Sequence, residues 1–139
     1  MNLQENIQRI KEVMGLKEIH SPAGKKYIPS RLVFHKSNPV NRDDIMKTGL
    51  QVDVGDCYQT YVGGEEECKP AIFATDSESN NDLFNSTYDD DIWSIDTEVA
   101  GVNWFKDKHF KKKSPHIVTF ENITIESLKL IYKGTGKNL

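Results

Sequence analysis

Two histidines lie at the ends of short apolar runs, where a side chain can reach a ligand. His35 ends the run at residues 32–34, and Ser37 follows it by two residues. His116 begins a second run, at residues 116–120. A neutral imidazole donates a hydrogen bond from one ring nitrogen and accepts one at the other, so it can hold a hydroxyl group. The alternative is a strand-end histidine without a ligand, and for Ser37 a cap on the following turn.

Aromatic and acidic side chains add to this set. Phe73 lies in the apolar run 71–74, and Tyr58 lies in a polar segment that contains glycines. Flat rings of this kind can stack on another planar ring. The alternatives are an ordinary core position for Phe73 and loop packing for Tyr58. Glu121 follows the run that His116 begins, and it offers a carboxylate at the far end of that strand.

Metal and phosphate motifs are absent from the sequence. Cys57 and Cys68 are separated by ten residues, which matches no zinc spacing, and we expect two free thiols in a reducing cytoplasm, with a disulfide as the alternative. The carboxylates of Asp89–Asp91 would point alternately along an extended chain, so we expect a solvated turn and no metal site. No dinucleotide fingerprint or nucleophile elbow follows a predicted strand.

Short apolar runs predict the elements that position these side chains. The chain has 139 residues, 37% hydrophobic and 28% charged, with a net charge of −3, which is typical of one folded domain and not of a dedicated nucleic-acid coat. We predict strands near residues 31–35, 71–74, 92–96, 102–105 and 116–121, and a helix that starts near Pro39 and ends at Gly49. Residues 51–69 are predicted to be a long loop, and residues 134–139 a frayed tail. Strands with few helices indicate the α+β class.

The N-terminal segment is predicted to be an appendage. Apolar residues at positions 3, 7, 10, 13 and 14 form one helical stripe, and Gly15 follows it. Residues 20–30 have the proline, glycine and serine content of a linker. We therefore divide the chain into an N-terminal amphipathic helix with its linker, residues 1–29, and a domain at residues 30–139. No apolar run approaches the roughly 20 residues of a membrane span, and the first residues lack the pattern of a signal peptide.

Three segments, taken in order, carry a resemblance. The first is Leu-Val-Phe-His-Lys-Ser at residues 32–37, followed by a helix and Gly-Leu at residues 49–50. The second is Ala-Ile-Phe-Ala-Thr at residues 71–75, and the third is His-Ile-Val-Thr-Phe at residues 116–120 with Ile123 and Leu128. Together they resemble the ADP-ribosyltransferase-like superfamily, in particular its small bacterial and phage members, and to a lesser degree RNA 2′-phosphotransferases. The N-terminal helix is also similar to the opening of phage-encoded proteins.

This resemblance implies a split sheet around a cleft that binds NAD. His35 would contact the ribose on the nicotinamide side, with support from Ser37, and the ring of Phe73 would stack on nicotinamide. The resemblance does not include Tyr58, but from its position in the preceding segment we infer that its ring also stacks on the nicotinamide. His116 or Glu121 would be the polar group of the late strand. A carboxylate beside the ribose stabilises the positive charge that develops when the nicotinamide bond breaks.

The function implied is transfer of ADP-ribose from NAD to a host macromolecule, a protein or a nucleic acid, by a phage-encoded enzyme. The expected location is the host cytoplasm or the virion, with no membrane partner. Two alternatives stay open. One is a non-catalytic module of the same fold that binds NAD, another nucleotide or a protein, which is favoured by Lys36 and by the lack of a glutamate at the start of the late strand. The other is a small phage structural protein.

Deletion of residues 1–20 should leave the remaining domain folded, because a linker composition separates the apolar stripe from the core. Circular dichroism and thermal melting of the truncated chain measure this. Loss of the cooperative transition would mean instead that Leu3, Ile7 and Ile10 pack into the main core.

Overall fold

The computed structural model describes residues 23–62, 64–76, 87–110 and 114–138. The helix expected over residues 3–14 lies outside them. The described chain is mostly antiparallel sheet with few helices, which is the α+β class. No helix among the described residues has both the length and the apolar content needed to cross a membrane.

The described strands are β1 (Lys26–Tyr27), β2 (Leu32–Ser37), β3 (Cys57–Val62), β4 (Glu65–Pro70), β5 (Ile72–Thr75), β6 (Asp91–Asp96), β7 (Trp104–Lys106), β8 (His116–Thr119) and β9 (Leu128–Tyr132). The helices are α1 (Arg42–Thr48) and α2 (Thr97–Ala100), with 3-10 turns at Pro39–Asn41, Val52–Val54 and Ile125–Ser127. Seven strands form one sheet in the order β1-β7-β8-β5-β2-β6-β9, and β3 pairs with β4.

The sheet is nearly divided between β2 and β5. Strand β2 pairs with β6 along its whole length, from Leu32 opposite Asp96 to Ser37 opposite Asp91. With β5 it forms a single pair, Phe34 opposite Thr75. The halves β1-β7-β8-β5 and β2-β6-β9 therefore meet at one backbone pair. On the side of His35 no further pair between β2 and β5 is found among the described residues, and we call this unpaired stretch the split.

The two faces of the sheet carry separate apolar clusters, because side chains alternate along each strand. One face packs against α1 through Ile45 and includes Val33 and Trp93. The other face packs against the β3–β4 hairpin through Tyr58, which contacts a cluster of Ala23, Ala71, Val118, Phe73, Phe105 and Phe120. The described residues thus form three layers, namely helix, sheet and hairpin.

A capping side chain sets the start of α1, and a close approach between two backbone segments sets its end. The side chain of Asn38 accepts a hydrogen bond from the backbone N–H of Val40, and Pro39 begins the 3-10 turn that leads into the helix. Gly49 ends the helix with φ 77°, and a Cβ there would overlap the carbonyl of Ile123. Leu50 pairs with Ile123, which ties the end of α1 to the chain that precedes β9.

The prediction of a long loop over residues 51–69 is wrong, because these residues contain a 3-10 turn and most of a hairpin. The sequence shows no alternating apolar pattern here because the described residues of β4 are all exposed. The hairpin is held instead by the hydrogen bonds between its strands and by a disulfide. Cys57 and Cys68 are bonded, with their Cα atoms 5.2 Å apart, so the expectation of two free thiols is wrong. The register places Cys68 opposite Gln59, diagonal to Cys57, within the range that a disulfide spans.

The acidic run and the tail also differ from the predicted solvated turn and frayed end. Asp91 is fully buried, and both of its carboxylate oxygens accept hydrogen bonds from Arg42, at 2.8 and 2.7 Å. The N–H of Gly134 donates to Asp91, and the carbonyl of Gly134 accepts from Arg42. Asp89 accepts from the backbone and hydroxyl of Thr135. We call Arg42, Asp91 and Gly134 the tail clasp.

The sheet reaches into the segment predicted as a linker. Lys26 and Tyr27 pair with Phe105 and Trp104. Gly24 donates a backbone hydrogen bond of 2.8 Å to the carbonyl of Lys106, and Ala23 is buried. The described folded unit therefore begins by residue 23, within the segment assigned to the helix and linker.

The largest influence on the pKa of the Asp91 carboxyl is burial, which by itself would raise that pKa. Hydrogen bonds from Arg42 and Gly134, together with the charge of Arg42, outweigh burial and lower that pKa. Asp91→Ala should therefore reduce the free energy of unfolding by about 3–5 kcal/mol, since it leaves a guanidinium without its buried partner. Urea denaturation measures the loss. Arg31→Ala, which removes an exposed ion pair with Asp96, is the control and should cost much less. Similar losses for both would contradict a special role for the tail clasp.

Candidate functional site

A cleft of about 1100 Å³ opens at the split between β2 and β5. Its walls are the last residues of β2, the inner side of α1, the segment from Gly49 to Asp56, the start of β5 and the chain just before β6. Ligand pockets typically have volumes of roughly 300–1,000 Å³, so the cleft is large enough for a small-molecule ligand.

The imidazole of His35 bridges the split. Its Nδ1 lies 2.6 Å from the carbonyl oxygen of Phe73 on β5. A carbonyl only accepts, so Nδ1 carries the proton and donates, and in the neutral ring Nε2 is then an acceptor. His35 lines the cleft, and among the described residues no hydrogen-bond partner is found for Nε2. The fold therefore fixes both the ring orientation and the tautomer, and it offers one acceptor to a ligand hydroxyl.

The environment of His35 keeps the ring neutral. Burial is the largest influence and lowers the pKa of the imidazole below its ordinary value of 6.5. The hydrogen bond to Phe73 and the negative charge of Asp56 oppose burial without overcoming it. Near neutral pH the imidazole is thus an uncharged acceptor at Nε2.

Ser37 lies in the same cleft wall, two residues after His35. Its hydroxyl oxygen accepts a hydrogen bond of 3.0 Å from the indole of the buried Trp93. This bond fixes the side chain and leaves the hydroxyl proton of Ser37 to donate. The structure therefore brings His35 and Ser37 together as the sequence suggests.

Phe73 and Tyr58 do not form the expected pair of rings around a ligand. Phe73 reaches the cleft at its backbone, whose carbonyl binds His35, while its ring packs in the cluster beneath the hairpin. Tyr58 is fully buried and stacks on that ring with the centroids 6.1 Å apart, which leaves no room for a nicotinamide between them. Burial also raises the pKa of Tyr58 to about 12, and its hydroxyl accepts from the N–H of Lys108. The error has a physical cause, because Tyr58 lies on the inner face of an unforeseen strand.

The late-strand candidates lie outside the cleft. The ring of His116 stacks on Phe110 with centroids 3.8 Å apart, and the residue pairs with Thr75 on β5. Glu121 is exposed, and its carboxylate accepts a hydrogen bond of 2.8 Å from the backbone of Asn103. Neither residue is among those that line the cleft. The structure thus separates both from His35.

The cleft is acidic. Its described lining residues include one lysine, Lys36, and four aspartates, namely Asp44, Asp53, Asp56 and Asp90. Such a surface favours a ligand or a transition state that carries positive charge. Among the described residues, no group of three or more histidine, cysteine, aspartate or glutamate side chains could hold a metal ion.

Tyr88 is a cleft residue that the sequence analysis missed. Its side chain is 53% exposed and lines the cleft, and its backbone pairs with Asn138 of the C-terminal segment. An exposed ring at a cleft is suited to stacking on a planar group. Its only sequence signal was a tyrosine just before an acidic run, which does not distinguish a cleft from a turn.

Comparisons with known proteins add no assignment: no protein-family model, no curated protein and no solved structure matches the chain.

Folding stability should fall as the pH is lowered below about 6.5, in part through His35. The pKa of the imidazole is lowered in the folded chain, so below 6.5 the unfolded chain binds more protons and gains stability relative to the fold. His35→Gln retains an N–H that can donate to the Phe73 carbonyl but cannot titrate. Urea denaturation between pH 7.5 and 5 should show a shallower loss for this variant than for the unmodified chain. Equal slopes would contradict a neutral, buried imidazole.

Proposed function

We propose that the chain is an ADP-ribosyltransferase-like enzyme that binds NAD in the cleft and transfers ADP-ribose to a host protein or nucleic acid. The observation that carries the proposal is the His35 imidazole held across the split by the Phe73 carbonyl. The resemblance implies a split sheet around a cleft, and the single pair between β2 and β5 supports that fold.

The geometry at His35 supports ribose binding. A ribose hydroxyl donates to Nε2, which the bond at Nδ1 leaves as the acceptor. A second hydroxyl accepts from Ser37, whose own oxygen is occupied by Trp93. Because both partners are fixed before the ligand arrives, the sugar is held in one orientation, and positioning of this kind contributes strongly to rate.

The negative charge of the cleft supports a reaction at the positively charged nicotinamide end of NAD. The nicotinamide ring of NAD is a pyridinium, and positive charge moves to the ribose as the bond to nicotinamide breaks. Aspartates in the cleft stabilise that charge, and Lys36 is the cation among the described lining residues. Tyr88 takes the stacking role that the sequence analysis gave to Phe73 and Tyr58.

The location of the activity is proposed as the infected host cell or the virion. The Cys57–Cys68 disulfide favours the virion-associated form, since disulfides persist in oxidising surroundings and are rare in the cytosol. The acceptor has to approach the open side of the cleft, where the segment from Asp53 to Asp56 is exposed.

A non-catalytic binding module is the second candidate. It is favoured by the placement of His116 and Glu121 outside the cleft, because the late strand then supplies no group to the reacting bond. Such a module would bind NAD or a related nucleotide without releasing nicotinamide.

His35→Ala should lower nicotinamide release by about 10²-fold or more, in line with the loss of one preorganised group. Calorimetry with NAD and a nicotinamide-release assay measure binding and chemistry separately. Glu121→Gln, on the exposed end of the late strand, should stay near the rate of the unmodified chain. Binding of NAD without release would support the module, and no binding at all would overturn both candidates.

Stacking on Tyr88 is tested by Tyr88→Ala. This variant should weaken NAD binding by about tenfold, since base stacking is worth roughly 1–3 kcal/mol. Tyr88→Phe is the matched control, because it keeps an aromatic ring at the same place in the cleft. Equal affinities for the two variants would remove Tyr88 from the site.

A further inference from the structure

We propose that Asp56 is the carboxylate that stabilises the positive charge on the ribose when the nicotinamide bond breaks. This inference rests on the proposed function and deepens it, because it assigns a catalytic group that the late strand does not provide. Asp56 lies in the segment between the Val52–Val54 turn and β3, a region that the sequence predicted to be loop.

A backbone contact with the chain that enters β5 selects Asp56 from the cleft aspartates. Its carbonyl accepts a hydrogen bond from Ala71, two residues before Phe73, whose carbonyl binds His35. Asp56 also lines the same cleft as His35, and its negative charge opposes the lowering of that imidazole's pKa by burial. A ribose held at Nε2 of His35 therefore lies within the field of this carboxylate. Coulomb stabilisation falls with distance, so a charge beside the residue that holds the sugar acts most strongly on its anomeric carbon.

The backbone of Asp56 is fixed at the base of the hairpin. Its carbonyl accepts a hydrogen bond of 3.0 Å from the N–H of Ala71, which also lines the cleft. The next residue, Cys57, is cross-linked to Cys68 on the opposite strand. The two ends of the hairpin are thus joined twice beside the cleft, which fixes the backbone that carries the Asp56 side chain before a ligand binds.

The Asp56 carboxylate is available to a ligand. The residue is exposed, and among the described residues no hydrogen bond or ion pair to its side chain is found. Glu121, by contrast, is engaged by the backbone of Asn103. An available anion stabilises a developing cation without first having to break another contact.

The reaction balances with water as the acceptor. The bond between C1′ of the ribose and N1 of nicotinamide breaks, and both electrons leave with nicotinamide, whose ring becomes neutral. Water adds its oxygen to C1′ and releases one proton to solvent, which gives ADP-ribose. Asp56 stays ionised throughout and forms no bond. A hydroxyl or amino group of a macromolecular acceptor replaces water in the transfer reaction.

The test uses Asp56→Asn, which removes the charge at constant size. With the full chain and NAD, the rate constant for nicotinamide release should fall about 10²-fold or more, while the Kd for NAD changes less than about threefold. Glu65→Gln is the matched control, since it removes one exposed carboxylate from the same hairpin outside the cleft. Thermal melting checks that both variants fold.

Chemical rescue provides a second readout. Asp56→Ala leaves space beside the ribose, and added formate should restore part of the lost rate, whereas chloride at the same ionic strength should not. An Asp56→Asn variant that releases nicotinamide at the rate of the unmodified chain would overturn the role of Asp56 and leave the proposed function standing. An unmodified chain that does not bind NAD would overturn both.

Discussion

The hydrogen bond from His35 Nδ1 to the carbonyl of Phe73 joins the two halves of the sheet at the point where their backbones separate. In a continuous sheet that carbonyl would accept from the backbone of β2. Here a side chain supplies the donor, and residues of both strands line the cleft. The orientation of the imidazole, its tautomer and the acceptor at Nε2 all depend on this one contact.

Two further devices hold the walls on either side of it. The tail clasp binds the start of α1 to β6 and to the C-terminal segment through a buried ion pair. The hairpin is closed by its disulfide and by the bond from Ala71 to Asp56. Neither device belongs to the apolar core. Polar and covalent contacts therefore fix the geometry of the cleft, while the two apolar clusters fix the sheet.

The sequence predicted what hydrophobic periodicity controls. Strands at Val33, Ile72, Ile95 and Ile117 bury apolar side chains, and the helix between Pro39 and Gly49 carries cap signals at both ends. Hydrophobic periodicity could not predict β4, because its described residues are exposed. It also could not predict the burial of Asp91, which depends on Arg42 and Gly134 at distant positions in the chain. Tyr58 was placed on the wrong side because its strand was not foreseen. His35 and Ser37 lie together in the cleft wall because both extend a strand that the sequence predicted.

The end of strand pairing at Phe34 also has a consequence for recognition. Beyond that residue, β2 has β6 on one side and the cleft on the other. Strand edges usually attract another strand, and proteins protect them against aggregation. Here the edge of β2 faces the cleft instead of a neighbouring strand. Main-chain groups are the same for every residue type, so this part of the cleft's chemistry is insensitive to most substitutions along β2.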